Sequence, residues 1–270
     1  MNSENKRAHG VTPGLQNDYL LRTADKQAAF FIPYLKSGMS VIDLGCGPGT
    51  ITTGFAKIVS PGLVTGIDHD SQHIEKANEL RSKEGLKNLT FKTGDVLSLP
   101  YDDKSFDAAF ENNLFVHLAE NSAKTAEEVF RLLKPGGFFG VRDVDVEYAV
   151  WGNKTEPITS LDMLMKEWQR SRGSNVNIGR QLPSILRKAG FTNCIISVSA
   201  DTKGTPEEVC SHAKITLTLL DGPLGKASLK NRWTDKNSIE KIKQEITRWG
   251  ENPDSFFSNV RIEVIGWKPG

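Results

Sequence analysis

Apolar residues in this chain fall into two alternating patterns. Short unbroken runs end at glycine or at an acid, and longer segments carry apolar residues three or four positions apart. Val41-Ile42-Asp43-Leu44 is a run of the first kind and predicts a buried parallel strand. Ile51 to Val59 is of the second kind, with Ile51, Phe55, Ile58 and Val59 on one helical face. The alternation continues: a strand over Leu63–Asp68, a helix from Ser71 to about Lys83, a strand and its terminal turn over Leu89–Val96, and a strand at Ala108–Phe110. A helix over Thr125–Leu133 and a strand over Phe138–Val144 complete this half. Strand–helix repetition of this kind predicts an α/β fold, a doubly wound and mostly parallel sheet.

The flanks read differently. Residues 1–14 are polar and end in Pro13-Gly14, which predicts a loosely attached tail. Leu15 to Leu35 carries helical spacing (Leu20, Ala24, Ala28, Phe31, Leu35), with Pro33 limiting its end. Residues 147–172 hold Tyr148, Trp151, Met163, Met165 and Trp168 and predict an inserted helical segment; such aromatics line an apolar substrate pocket or simply pack. Strand six falls on Thr192–Ala200, Thr205-Pro206 opens a helix as N-cap and first residue, Ser238–Trp249 is another helix, and 256–267 alternates as a last strand. The boundaries that follow are a tail and lid helix at 1–36, a ligand-binding core at 37–146, an inserted cap at 147–180 and the remainder of the sheet at 181–270.

Bulk composition narrows the function. Lys plus Arg number 34 and Asp plus Glu 33, a net charge of +1, so no global field favours nucleic acid or an anionic membrane. Three well-separated cysteines (Cys46, Cys194, Cys210) show no metal-ligand spacing, and their odd, sparse count fits a reducing, cytoplasmic setting. The polar N-terminus has no secretory h-region, and no run approaches a membrane span. No metal is expected.

The chemistry centres on Gly45, Gly47 and Gly49, which follow the first strand and precede a helix. Glycine allows positive φ and close approach of a ligand to the backbone, and the helix start offers unpaired N–H groups. A P-loop would need GxxxxGK[ST], and a dinucleotide fingerprint would need its third glycine one residue later. Asp43 at the strand end suits a cation and would repel a pyrophosphate. Asp43-Leu44-Gly45-Cys46-Gly47-Pro48-Gly49 resembles motif I of class I S-adenosylmethionine (SAM)-dependent methyltransferases at every fixed position. Further strings resemble the domain 11/25 type, which mostly modifies small molecules: Leu99-Pro100-Tyr101 through Ser105-Phe106-Asp107, Leu133-Lys134-Pro135-Gly136-Gly137, and Gly179-Arg180-Gln181-Leu182-Pro183. The resemblance implies a Rossmann-like seven-stranded sheet with an antiparallel last strand, a helical lid and cap, and SAM as cofactor.

Asp68 follows the glycine turn at the spacing of a ribose-hydroxyl acceptor, or alternatively caps the next helix, a task for which Asp70 and Ser71 are better placed. Gly94-Asp95-Val96 resembles the family's adenine corner; Asp95 also reads as a turn cap. The resemblance further implies cofactor contacts from Tyr19 and Arg22 on the lid, with Thr23 beside them, and from Cys46, Thr50, His69, Glu111 and Asn112. The post-strand string Glu111-Asn112-Asn113-Leu114 departs from the Asn/Asp-Pro-Pro-aromatic string of DNA and protein amide methyltransferases, which implies a small-molecule acceptor and no nucleic acid. His117 is the candidate base or acceptor contact, or a packed histidine; Asn113, Asp143 and Asp145 are secondary candidates. The first 150 residues are also similar to fungal thiol methyltransferases acting on epipolythiodioxopiperazines. Two other readings stay open: a SAM-binding regulatory subunit without catalysis, and an NAD(P)-dependent oxidoreductase. Oligomeric state is not legible.

Overall fold

The computed structural model describes residues 20–270. Among the described residues eight strands occur in chain order: β1 Val41–Leu44, β2 Val64–Asp68, β3 Leu89–Thr93, β4 Phe106–Asn112, β5 Leu133–Val144, β6 Val150–Trp151, β7 Thr192–Lys203 and β8 Phe257–Trp267. The α-helices that lie within the described residues are α1 Ala24–Gln27, α2 Thr50–Val59, α3 Ser71–Glu84, α4 Phe115–Leu118, α5 Ser122–Leu132, α6 Glu156–Ser171, α7 Leu182–Lys188, α8 Pro206–Asp221, α9 Pro223–Lys230 and α10 Lys236–Glu251.

The chain divides into two compact units. The larger comprises the described residues 20–144 with 177–199 and 261–270. Its strands run β3-β2-β1-β4-β5-β8, with β7 also on β8. The pairs β1/β2, β2/β3, β1/β4 and β4/β5 are parallel, and β8 is antiparallel to β5. The doubly wound sheet with an antiparallel last strand is therefore as expected. One more strand than expected is present, the two-residue β6.

Alternation along the strands gives each face its own core. Val41, Ala108, Phe110, Phe138 and Ile265 pack with Phe55 and Val59 of α2 and with Phe31. Phe31 lies 5.1–5.4 Å, centroid to centroid, from Phe55, Phe110 and Phe138. On the other face Phe139 meets Phe115 and Phe191, and Phe191 meets Phe130 of α5. Pulling Phe31 into the first core alters the N-terminal element. The single helix expected up to Leu35 is, among the described residues, only α1 followed by a 3₁₀ turn at Ile32–Tyr34. Periodicity could not reveal this, because a buried aromatic on a bent segment leaves the same spacing as one on a straight helix. Tyr19 and the tail lie outside the described residues.

Gly49 shows how tightly the first crossover is built. Its φ is +80°, and a Cβ there would lie 2.5 Å from Phe91 Cζ and 3.0 Å from Ala77 Cβ. Gly49→Ala therefore combines left-handed strain with overpacking, and should cost roughly 2–5 kcal/mol. Urea denaturation will read this as a lower midpoint with an unchanged slope.

The smaller unit comprises residues 145–176 and 200–260. Trp151, Leu161, Trp168, Leu220, Ile246 and Trp249 form its own core. Trp151 and Trp168 are thus packing residues, whereas Tyr148 and Met163 are exposed. Thr205 caps α8, as its sequence predicts, and the structure adds a full capping box with Glu208. No helix of the described residues is long and apolar enough to cross a membrane.

Candidate functional site

The C-terminal ends of β1 and β2 bring Asp43 and Asp68 to the glycine turn. Asp43 is 3% exposed and accepts a hydrogen bond from Thr52 Oγ1 of α2 at 2.5 Å. It forms no ion pair with a Lys, Arg or His among the described residues. Burial without a counter-charge pushes its carboxyl up to about 7; the neighbouring Asp68 adds to this and the Thr52 hydroxyl opposes it. A carboxyl in this state lacks a cation.

The three glycines of the turn all have positive φ, for different reasons. A Cβ on Gly45 would lie 3.1 Å from Leu114 Cδ1, and Gly49 is backed by Phe91. Gly47 has nothing within 4 Å on that side, so its backbone is open to a ligand. The Gly47 N–H donates to Asp68 Oδ2 at 2.9 Å, which latches the turn to β2.

Asp68 contrasts with Asp43. Burial alone would raise it, but the His69 and His73 imidazoles beside its Oδ1 and hydrogen bonds from the Asp70 and Gly47 N–H groups hold it well below the usual carboxylate range. The histidine nitrogens lie 3.4 and 3.6 Å from Oδ1. Asp68 in turn shifts His73 upward. Capping of α3 falls to Asp70, which accepts from the Gln72 N–H. Asp68 is therefore an ionised acceptor beside a carboxyl that holds a proton near neutrality.

The remaining candidates are placed unevenly. Asp95 is exposed and Oδ1 accepts from the Leu97 N–H at 3.0 Å, the turn-capping use. Gly94 N–H bonds to the Asp68 carbonyl and Val96 is buried. Thr50 opens α2, Cys46 is buried in the turn with its thiol pushed up by burial, and Arg22 is half-buried ahead of α1. Glu111 is paired in register with Leu44, so its side chain projects from the face opposite Asp43, where its Oε2 accepts from the Leu114 N–H. Asn112 accepts from Arg142 Nη1 at 3.1 Å. His117 sits exposed on α4, and Asp145 belongs to the smaller unit.

Sequence reasoning missed Thr52, Arg142, Arg261 and Glu263. Thr52 is hidden by its ordinary place in an amphipathic helix. Arg142 carried a legible signal, a charge inside the apolar strand Phe138–Val144. It is 2% exposed and meets Glu263, Ser199 and Asn112.

These features suit one kind of ligand. A buried carboxyl without a cation, an open glycine backbone and an ionised acceptor on the neighbouring strand fit a molecule carrying an ammonium and a diol. Two acids at the turn disfavour a pyrophosphate. Among the described residues no cluster of His, Cys, Asp and Glu could hold a metal.

Comparison with known proteins agrees. A methyltransferase-domain family model matches residues 35–252. An uncharacterized methyltransferase of Schizosaccharomyces pombe is 33% identical over 204 residues, 72% of each chain. A probable methyltransferase, ltbC, of Aspergillus luteorubrus is 28% identical over 271 residues, 92% of each. A sterol 24-C-methyltransferase of Gibberella zeae is 41% identical over 108 residues, 40% of this chain and 28% of that protein. The YcgJ protein of Bacillus subtilis superimposes with a TM-score of 0.59 at 17% identity, covering 94% of this chain and 99% of that one. A phosphoethanolamine N-methyltransferase of Haemonchus contortus, solved with phosphomonomethylethanolamine and S-adenosylhomocysteine, superimposes with a TM-score of 0.56 at 17% identity, covering 91% and 53%. These two structures share the fold. By its family match and its relatives, the chain belongs to the SAM-dependent methyltransferases.

Proposed function

We propose that this protein methylates a small molecule at a crevice over the ends of β1, β2 and β4. The observation that carries the reading is Asp43, buried without a cation beneath the open backbone of Gly47. Asp43 receives the cofactor's ammonium, Gly47 lets the ligand approach the chain, and Asp68 accepts from the ribose hydroxyls with its remaining lone pairs. Gly94, Asp95 and Val96 form the adenine corner, Val96 supplying the apolar wall. Glu111 and Asn112 contribute through their main chain, since Glu111 turns its carboxylate away and Asn112 is engaged by Arg142. Arg22 and Tyr19 are the proposed lid contacts. When bound, SAM supplies a methyl group already activated on a sulfonium. The protein has to align the acceptor and exclude water, and a base is needed only where the acceptor must lose a proton.

The acceptor class is supported by the balanced net charge, by Glu111-Asn112-Asn113-Leu114 after β4, and by the sterol methyltransferase among the relatives. The sparse free cysteines favour a reducing, cytoplasmic setting. A panel of thiols, phenols, quinols and amines, read by mass spectrometry for the gain of one methyl, tests the reading. His117→Ala should lower kcat for a phenol by about 10²-fold at pH 7 and spare KM, because a positioned base contributes on that scale. SAM binding with no product from any acceptor would overturn the reading in favour of a non-catalytic SAM-binding subunit.

A further inference from the structure

Beneath the turn that carries His117 lie two carboxyls to which methyl transfer gives no direct task. Glu111 near the end of β4 and Asp143 near the end of β5 are both fully buried. Glu111 is in register with Val141, so Asp143 follows it two residues on and on the same sheet face. Together they receive the backbone of the turn. Glu111 Oε2 accepts from the Leu114 N–H at 2.9 Å, and Asp143 Oδ2 accepts from the Val116 N–H at 2.8 Å. The Phe115 N–H acts on both. The two acids differ in their second oxygens. Asp143 Oδ1 accepts from the Val144 N–H at 2.7 Å, whereas Glu111 Oε1 is buried and has no partner.

That difference assigns the charges. Asp143 uses both oxygens as acceptors, which suits a carboxylate. Glu111 uses one, and its other oxygen has a free position for a proton. Among the described residues, the ionisable groups that act on the pair include Asp43 on β1 and Arg261 on β8, and His117 lies on the same turn; Arg142, next to Asp143 in β5, projects from the opposite face. Arg261 acts on Asp143, whereas the charges that act most on Glu111 are those of Asp143 and Asp43, both negative. We propose that Glu111 is a positioning residue that stays a neutral carboxylic acid at pH 7 and, beside an ionised Asp143, fixes the turn 113–118 against the glycine turn. The inference rests on the proposed crevice, because Leu114 packs on Gly45 and the same turn presents His117. Burial, and then the charge of Asp143, push Glu111 well above the usual range. Burial raises Asp143 less, to about 6, because the Val144 and Val116 N–H groups and Arg261 oppose it.

The sign of the pH effect follows. Above about 4.5, the folded protein holds a proton on Glu111 that the unfolded chain has lost. Stability is therefore lost as pH rises toward the folded-state value of Glu111, and Glu111→Gln removes this loss. The infrared and unfolding measurements use the cofactor-free protein. Wild-type protein labelled with 13C in its glutamate carboxyls should show, at pH 7.5, a protonated-carboxyl infrared band that moves in D2O, and the band should be missing from Glu111→Gln. The unfolding midpoint should fall between pH 5 and 8 more steeply in wild type than in Glu111→Gln. As Glu111 ionises at alkaline pH the turn loosens, so kcat of wild type should fall there and that of Glu111→Gln should not, while Asp143→Asn, which sets an N–H₂ against N–H donors, should lower kcat at least tenfold with the S-adenosylhomocysteine Kd changed less than threefold. Absence of the glutamic-acid band from wild type, or its survival in Glu111→Gln, overturns the inference. Failure of wild type to bind S-adenosylhomocysteine would instead remove the crevice reading, and the infrared result would stand apart from it.

Discussion

Asp43→Asn should weaken binding of SAM and S-adenosylhomocysteine by about 100-fold and, in the same protein, raise stability at pH 8. The first effect follows from loss of the carboxylate that would pair with the ligand's ammonium in a water-excluded site; a factor of this size corresponds to roughly 3 kcal/mol. Asparagine still accepts from the Thr52 hydroxyl, so the turn keeps its contact. The second effect is one of linkage. The Asp43 carboxyl is raised from 3.8 to about 7 in the folded state. Between these values the folded protein binds a proton that the unfolded chain does not, so stability declines as pH rises through the interval, by on the order of a few kcal/mol. The asparagine variant lacks this decline. The same ionisation shapes binding in wild type, because the cation needs the carboxylate. Apparent affinity should be flat above pH 8 and fall about tenfold per unit well below 7. Calorimetry and urea denaturation across pH 5.5–8.5 read both effects. A variant that binds as wild type does would show that Asp43 does not meet the ligand.

Arg142→Ala should cost roughly 3–5 kcal/mol, the largest stability loss expected from a single polar residue here. The guanidinium is buried between β4, β8 and β7. It lies 3.3 Å from Glu263 Oε1, 3.1 Å from Asn112 Oδ1 and within 3.3 Å of Ser199 Oγ. Glu263 is buried as well and also accepts from Ser197 and Ser199 at 2.7 and 2.5 Å. Truncating Arg142 leaves that carboxylate desolvated without its charge partner, and two serine hydroxyls do not replace it. Arg142→Met combined with Glu263→Gln should recover much of the loss, since replacing a buried pair as a unit is often close to neutral. Equal losses in the single and double variants, measured by urea denaturation, would contradict this.

The cofactor half was the legible part of the chain because each signal there is local. Glycines at alternate positions, an acid at each of two strand ends and helices starting directly after them are all fixed by neighbours in sequence. Asp70 capping α3 and Thr205 capping α8 are read from the same short range. What stayed hidden depends on contacts between distant residues. Thr52 matters because α2 folds back on β1, and Arg142 because β8 arrives with Glu263 from 121 positions away. The sequence puts Glu111 near the end of β4, as the structure does, but the side to which its carboxylate turns is set by the register of β4 on β1. The helix α9 and the short β6 escaped because Pro223–Lys230 is brief and Val150–Trp151 has no alternation to read.

The most direct test of the site is a calorimetric titration of wild-type protein with S-adenosylhomocysteine, beside a titration with NAD, at pH 8 where Asp43 is ionised. Micromolar binding of the first and no heat from the second is the result expected from a buried carboxyl that awaits a cation under an open glycine turn. Binding of NAD, or silence toward both, would contradict the assignment of the crevice.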